Sequence, residues 1–328
     1  MMENVNVVLM GANRLAVEAL TDLLEWNTGI QAVVPNPSDR GIDSWEPSLK
    51  KFAQELNLKI HETANPNSQE SLKFFRGLDF DYIISVHYDK ILKDKILDLP
   101  KKGAINIHFA PLPKYRGCFP IHWAMIEGNS AGVSLHWMDK GIDTGDIIST
   151  KTIPIGSFKT CKEIYESATT YGKDMFRNII PRIFKGEKIS SPQNNGESSY
   201  FPRQEPYQRI INWEWDSEKI QRFVRAFTFP PLMGARTFFK NYEIEIFYPV
   251  FCSKENIVSN QSCGEIVDIT DDRVLKIRSS DGIIEVPHFK LRLSDDEIVT
   301  DIKIIRFLDL KKGSVLGNNV KSTIIPVT

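Results

Sequence analysis

The sequence predicts an α/β protein in which a mostly parallel sheet, covered by helices on both faces, is followed by a small β-rich C-terminal module. Three observations predict it. Over the first half of the chain, short β-branched apolar runs alternate with amphipathic helical stretches, the pattern of parallel strands joined by helical crossovers. After about residue 186 the stretch GEKISSPQNNGESSYFPRQEPYQR is polar, rich in Pro, Gly, Asn and Ser and without periodicity, so a linker or surface-crossing segment is expected there. Beyond it, residues 263–293 alternate in short pieces broken by Asp-Asp and Asp-Gly, as hairpins do. At roughly 100–200 residues per domain, 328 residues fit two domains, expected at 1–205 and 206–328.

In order, residues 5–10 (VNVVLM) read as a buried strand that stops at Gly11-Ala12-Asn13, and a helical pattern follows over 14–26. Residues 30–34 read as a second strand, 47–56 and 68–77 as helices, 82–86 as a strand, 90–98 as a helix and 104–107 as a strand. PIHWAMIEG is helix-like, VSLHWM strand-like, and 216–227 helical again. The first turn carries one glycine and lacks GxGxxG with a later acidic ribose partner, which argues against a dinucleotide. Ligands of such sheets still bind beyond the carboxyl ends of the strands. That rule gathers Gly11, Asn13, the stretch after Val86 and the stretch after Ile107 around one crevice.

Lysine and arginine number 41 against 42 aspartates and glutamates, a net charge of −1, so no global positive field exists to follow a phosphate backbone. Nucleic acid is therefore not expected as a partner. No apolar run approaches the ~18 residues of a membrane span and no signal-peptide pattern opens the chain, so no membrane partner and a cytoplasmic location are expected. Cys118, Cys161, Cys252 and Cys263 show neither CxxC pairing nor metal-ligand spacing, which predicts free thiols and no metal.

Chemistry concentrates in two segments. In NIHFAPLPKYRG, Asn106 and His108 alternate at a strand end and so share one side of the chain, bringing an amide donor and an imidazole toward the crevice. Pro111 and Pro113 restrict the loop that follows, and Gly117 permits a close backbone approach. The second segment runs from VSLHWM into DKGIDTGDII, where Gly141 and Gly145 flank Asp143 in a turn that presents a carboxylate. Singly, each residue reads as a cap or turn residue; the combination points to a site.

Asn106-x-His108, then Leu112-Pro113 with Gly117, then Asp143-x-Gly145 resemble the motifs of the N10-formyltetrahydrofolate-dependent formyltransferase family. The resemblance extends to the opening strand with Gly11 and to residues 79–97, 215–235 and 263–269, nearly the whole chain. It implies a Rossmann-like catalytic domain, a small OB-like C-terminal domain and an N-formyltransferase that moves a one-carbon group from the N10 of the folate to a primary amine. Asn106 is then the oxyanion donor, His108 serves proton transfer and the oxyanion, and Asp143 orients the imidazole or takes the proton through it or through water. The resemblance further assigns the folate, a co-substrate, to Tyr88, Ile91, Leu92 and Gly117. Tyr88 and His87 read equally well as solvent-facing, while His122 and His136, in apolar helix and strand patterns, read as structural.

Two acceptor classes remain, a nucleotide-linked amino sugar and the aminoacyl end of initiator tRNA. The family's tRNA enzymes carry a basic insertion after the early strands; here PNPSDRGIDSWEPSLKK is mixed in charge. Together with the net charge this favours a sugar nucleotide, with methionyl-tRNA formyltransferase as the alternative. Tyr200, Arg203, Tyr207 and Trp213 could stack a base and pair a diphosphate, with Lys114, Arg116 and Arg225 as further phosphate candidates. The segment looks like the corresponding part of enzymes acting on dTDP-linked 3- or 4-amino-dideoxy sugars. This implies an N-formylated sugar for O-antigen or other lipopolysaccharide, and a homodimer is in keeping with the family.

Overall fold

The structure is a computed structural model that describes residues 5–156, 160–229, 234–253, 261–292, 298–300 and 302–317. The opening apolar run forms β1 (Asn6–Gly11), buried continuously from Val7 onward, as a strand covered on both faces must be. Next, α1 (Asn13–Glu25) buries Leu15, Ala16, Ala19, Leu20 and Leu23 along one stripe. The chain continues through β2 (Gly29–Pro35), α2 (Leu49–Glu55), α3 (Gln69–Arg76), β3 (Tyr82–Val86), α4 (Asp94–Leu97) and β4 (Gly103–His108). Ser48 and Ser68 cap α2 and α3, each hydroxyl accepting from a backbone N–H three residues on. Then come β5 (Arg116–Gly117), α5 (Pro120–Glu127), β6 (Ala131–Trp137), β7 (Ile147–Ile153), α6 (Cys161–Phe184) and β8 (Tyr200–Phe201).

Six of these strands form one sheet in the order β2-β1-β3-β4-β6-β7. The pairs β1–β2, β1–β3 and β3–β4 are parallel, whereas β4–β6 and β6–β7 are antiparallel. The sheet is mostly parallel, as expected. Periodicity located β6 but not its direction, which depends on a pairing between segments 30 residues apart, Asn106 opposite His136. Val8, Met10, Val34, Phe75, Ile83 and Ile96 belong to one buried cluster on this sheet.

By compactness the chain divides into two units, the first holding residues 1–120, 131–153 and 165–202, the second 121–130, 154–164 and 203–328. A single cut at residue 205 would leave 121–130 and 154–164 with the first. The stretch read as a linker is partly built into the first unit: β8 pairs in parallel with β5, Arg116 beside Tyr200 and Gly117 beside Phe201.

In the second unit α7 (Ser217–Phe227) buries Ile220, Phe223, Val224 and Phe227, and the Asp216 side chain caps it by accepting from Lys219 N–H. Beside it lie β9 (Ala235–Phe239), β10 (Tyr242–Ile246), β11 (Phe251–Ser253), β12 (Ile266–Ile269), β13 (Leu275–Arg278), β14 (Ile283–Val286), β15 (Phe289–Arg292), β16 (Ile298–Thr300) and α8 (Ile302–Leu308). They form two antiparallel sheets, β16-β15-β10-β9 and β11-β14-β13-β12. The Asp-Asp and Asp-Gly breaks fall at the turns joining β12 to β13 and β13 to β14. Residues 318–328 lie outside the described residues, while Val315 and Gly317 bridge to Glu265 and Phe238.

Candidate active site

Asn106 and His108 leave the C-terminal end of β4 on one face, and the antiparallel register sets His136 of β6 opposite Asn106. Asp143 sits in the turn between β6 and β7 at φ 53°, a left-handed conformation that a short polar side chain tolerates better than a bulky one. Gly145 lets this turn close on β6, because a Cβ there would lie 2.0 Å from the Trp137 carbonyl. Gln193 pins the turn from outside: its Nε2 donates to the carbonyls of Asp143 (2.8 Å) and Gly145 (2.7 Å). Its Oε1 accepts from Arg116 Nε at 3.1 Å and Nη2 at 2.7 Å.

Around Asp143 each polar atom has a defined partner. Gly117 N–H donates to Oδ2 at 2.9 Å; His108 Nδ1 stands 3.7 Å from the same oxygen; His136 Nε2 stands 3.4 Å from Oδ1. Asn106 Nδ2 lies 3.2 Å from His136 Nε2 and 3.5 Å from Asp143 Oδ1. His108 Nε2 lies 2.8 Å from the Tyr115 carbonyl, and His136 Nδ1 lies 2.8 Å from that of Trp137. A carbonyl only accepts, so these two nitrogens carry the hydrogens and the other nitrogen of each ring faces the carboxylate. Burial pushes the Asp143 pKa up, but the charge of His108, the hydrogen bond and charge of His136, and the Gly117 N–H outweigh it. The carboxyl is held well below the usual carboxylate range. The cluster therefore combines an amide donor, an ionised carboxylate and two oriented imidazoles.

His87 follows β3 at φ 56°, its ring edge-on to Phe109 at 4.2 Å and 5.7 Å from Tyr165. It does not face solvent as expected: its Nδ1 is buried without a partner among the described residues, and burial, aided by His108, lowers its pKa to about 4. Asn13, also left-handed at φ 67°, donates from Nδ2 to the Tyr165 hydroxyl at 3.2 Å. Gly11 serves backbone packing, since a Cβ there would lie 2.1 Å from the Val86 carbonyl.

Several other candidates are corrected by their surroundings. Tyr88 is not solvent-facing: its hydroxyl is buried without a partner among the described residues and its ring packs on the sheet's core cluster. Leu92 belongs to that cluster at 3% exposure, so its side chain is spent on the core, whereas Ile91 is 60% exposed. Arg116 is buried and its guanidinium is shared between Gln193 and Asn195, so it clamps the loop rather than meeting phosphate. Trp213 is buried with Nε1 donating to Thr237 Oγ1 at 3.0 Å, and Arg225 is buried on α7, so neither is open to a nucleotide. Lys114, Tyr200 and Arg203 are exposed; so is Tyr207, with its ring edge against Trp215 at 4.9 Å.

Sequence reading missed His136, Gln193 and Tyr165. A signal for His136 was present: in VSLHW, Ser134 and His136 alternate on one face of an otherwise apolar strand. Ser134 itself accepts from Leu112 N–H (3.1 Å) and donates to the Ala110 carbonyl (2.7 Å), orienting the loop after β4. Among the described residues no group of three His, Cys, Asp or Glu could hold a metal ion, the four cysteines form no disulfide, and no helix is long and apolar enough to cross a membrane.

The Formyl transferase family model matches residues 5–180, and that of the Formyl transferase C-terminal domain matches 204–299. The chain is 30% identical over 316 residues to a methionyl-tRNA formyltransferase of Ruminiclostridium cellulolyticum, covering 95% of this chain and 99% of the relative. Another methionyl-tRNA formyltransferase, from Citrifermentans bemidjiense, is 30% identical over 250 residues, 75% of this chain and 78% of the relative. Among solved structures, an N-formyltransferase from Helicobacter canadensis in complex with folinic acid and dTDP-3-aminofucose superposes with a TM-score of 0.68 at 28% identity. That match covers 86% of this chain and 98% of the other. WlaRD, a sugar 3N-formyl transferase determined with dTDP and 5-N-formyl-THF, gives 0.65 at 28% identity over 87% and 97%. With both family models matched and a relative 30% identical across nearly its whole length, the chain belongs to the formyl transferase family, enzymes that transfer formyl groups.

Proposed function

We propose that the protein transfers a formyl group from N10-formyltetrahydrofolate to the amino group of a nucleotide-linked amino-dideoxy sugar, a dTDP-linked 3- or 4-amino sugar. The product would be an N-formylated sugar for a surface polysaccharide such as O-antigen. The neutral amine attacks the formyl carbon, negative charge develops on the formyl oxygen, and the bond to N10 breaks. Asn106 suits the developing oxyanion as a neutral donor in a half-buried setting. The ionised Asp143 suits the proton shed by the amine and its return to N10. His108 acts through that carboxylate, because its Nε2–H is spent on the Tyr115 carbonyl. For the folate, exposed Ile91 offers an apolar contact.

The observation that carries the choice of acceptor is the segment after β2. Residues 36–48 hold three carboxylates against one guanidinium; Glu46 is buried, Asp39 half-buried, and Asp43 exposed and paired with Lys51. Asp39 accepts from Gly41 N–H, Ser48 Oγ and Lys50 N–H; Asp43 accepts from Ser48 N–H; Glu46 accepts from Arg14 N–H at 2.8 Å. Such a loop offers little to a phosphate backbone. The structural neighbours carrying dTDP ligands support the same choice. The second reading, methionyl-tRNA formyltransferase, is favoured by the names of the sequence relatives at about 30% identity. Formyl-folate consumption by the purified enzyme, with dTDP-amino sugars against methionyl initiator tRNA, separates the two. Turnover with tRNA alone would overturn the sugar assignment and leave formyl transfer standing.

A further inference from the structure

His136 stands at the reacting carboxylate without a task in the transfer described above. Its side chain is 2% exposed, so no solvent competes for its ring. With Nδ1–H given to the Trp137 carbonyl, the ring is fixed and Nε2 faces two polar groups, Asn106 Nδ2 at 3.2 Å and Asp143 Oδ1 at 3.4 Å. A neutral imidazole accepts the Asn106 N–H at Nε2; a protonated one donates from Nε2 to Asp143. Both arrangements suit the same heavy-atom positions.

We propose that His136 is a positioning residue for formyl transfer, holding the Asn106 amide while the carboxylate is unprotonated and sharing, through Asp143, the proton shed by the acceptor. The proposal rests on the reading that the acceptor is a primary amine. In the step, the acceptor nitrogen bonds to the formyl carbon, the bond from that carbon to N10 breaks, and the proton leaving the attacking nitrogen returns to N10. In between, the proton resides on the Asp143–His136 pair. Its arrival at Nε2 ends the acceptor role of that nitrogen and releases the Asn106 N–H toward the formyl oxygen. The titratable groups facing Asp143 are His108 from β4 and His136 from β6, with His87 beyond His108; the Arg116 guanidinium is held by Gln193 and Asn195.

Two measurements test this. In His136→Phe, which keeps the ring and loses both nitrogens, kcat should fall by about 100-fold, the scale of proton-transfer assistance, while KM for both substrates stays close to wild type. His136→Gln, which can still accept from Asn106 but cannot take a proton, should recover part of the rate. Nitrogen-15 NMR of the wild-type imidazoles needs no acceptor and should find the proton of His136 on Nδ1, where the Trp137 carbonyl accepts it. Wild-type kcat in His136→Phe, or a proton on Nε2 with Nδ1 bare, would overturn the proposal. If the dTDP-amino sugar is the wrong acceptor, the wild type shows no turnover with it, and the NMR result still decides the role of His136.

Discussion

The backbone N–H of Gly117 donates to the Asp143 carboxylate at 2.9 Å, so a loop residue after β4 and a turn residue after β6 share one hydrogen bond at the centre of the site. Gly117 holds φ 89°, and a Cβ there would meet the Phe201 carbonyl at 2.1 Å. Gly117→Ala should displace β5 from β8 and draw the N–H away from Asp143. We expect a stability loss of about 1–3 kcal/mol, the usual cost of a non-glycine residue forced into such a conformation, and a fall in kcat. Thermal unfolding and steady-state turnover on the same preparation check both.

Asn106→Ala removes the amide that suits the oxyanion. Turnover should drop about 100-fold or more, as expected for one pre-placed oxyanion donor worth ~3 kcal/mol, with little change in KM for the acceptor. A nearly normal kcat would take Asn106 out of the mechanism.

Gln193 holds the Asp143 turn by two backbone carbonyls and satisfies a buried guanidinium. Gln193→Leu removes its bonds to the two carbonyls and to Arg116 Nε, leaving Asn195 alone on the guanidinium, a cost of about 1–3 kcal/mol for a buried polar group losing its partner. Its kcat should fall more than its thermal stability implies, because Asp143 loses its tether. Gln193→Glu should restore the Arg116 contact but not the two carbonyl contacts. Comparing kcat for the two variants separates the clamp on the turn from the clamp on the loop.

His87 is held neutral down to about pH 4, whereas an imidazole in the unfolded chain protonates near 6.5. Between those values the unfolded state binds the additional proton, so stability falls as pH drops through the window and returns as pH rises. His87→Phe should flatten the stability–pH slope there by at most about 1.4 kcal/mol per pH unit. His122, lowered to about 4 by burial in the second unit, keeps its own contribution in the variant. Denaturant titrations at several pH values between 4 and 7 measure the difference; an unchanged slope would show that His87 is solvated.

The alternation of strands and helices, the trio Asn106, His108 and Asp143, and the β-rich C-terminal part were legible in the sequence because each rests on local pattern. Period-two spacing puts Asn106 and His108 on one side of a strand end, and flanking glycines mark the Asp143 turn, whatever the rest of the chain does. Tertiary structure alone decided the company these residues keep. His136 reads as a core histidine until the antiparallel register sets it opposite Asn106, and Arg116 reads as a phosphate ligand until Gln193, 77 residues away, accepts its guanidinium. Trp213 likewise reads as a stacking surface until Thr237 takes its indole N–H. The physical reason is common to all three: strand register and the partners of a buried polar group are set by segments distant in sequence, and no periodicity within a segment carries that pairing.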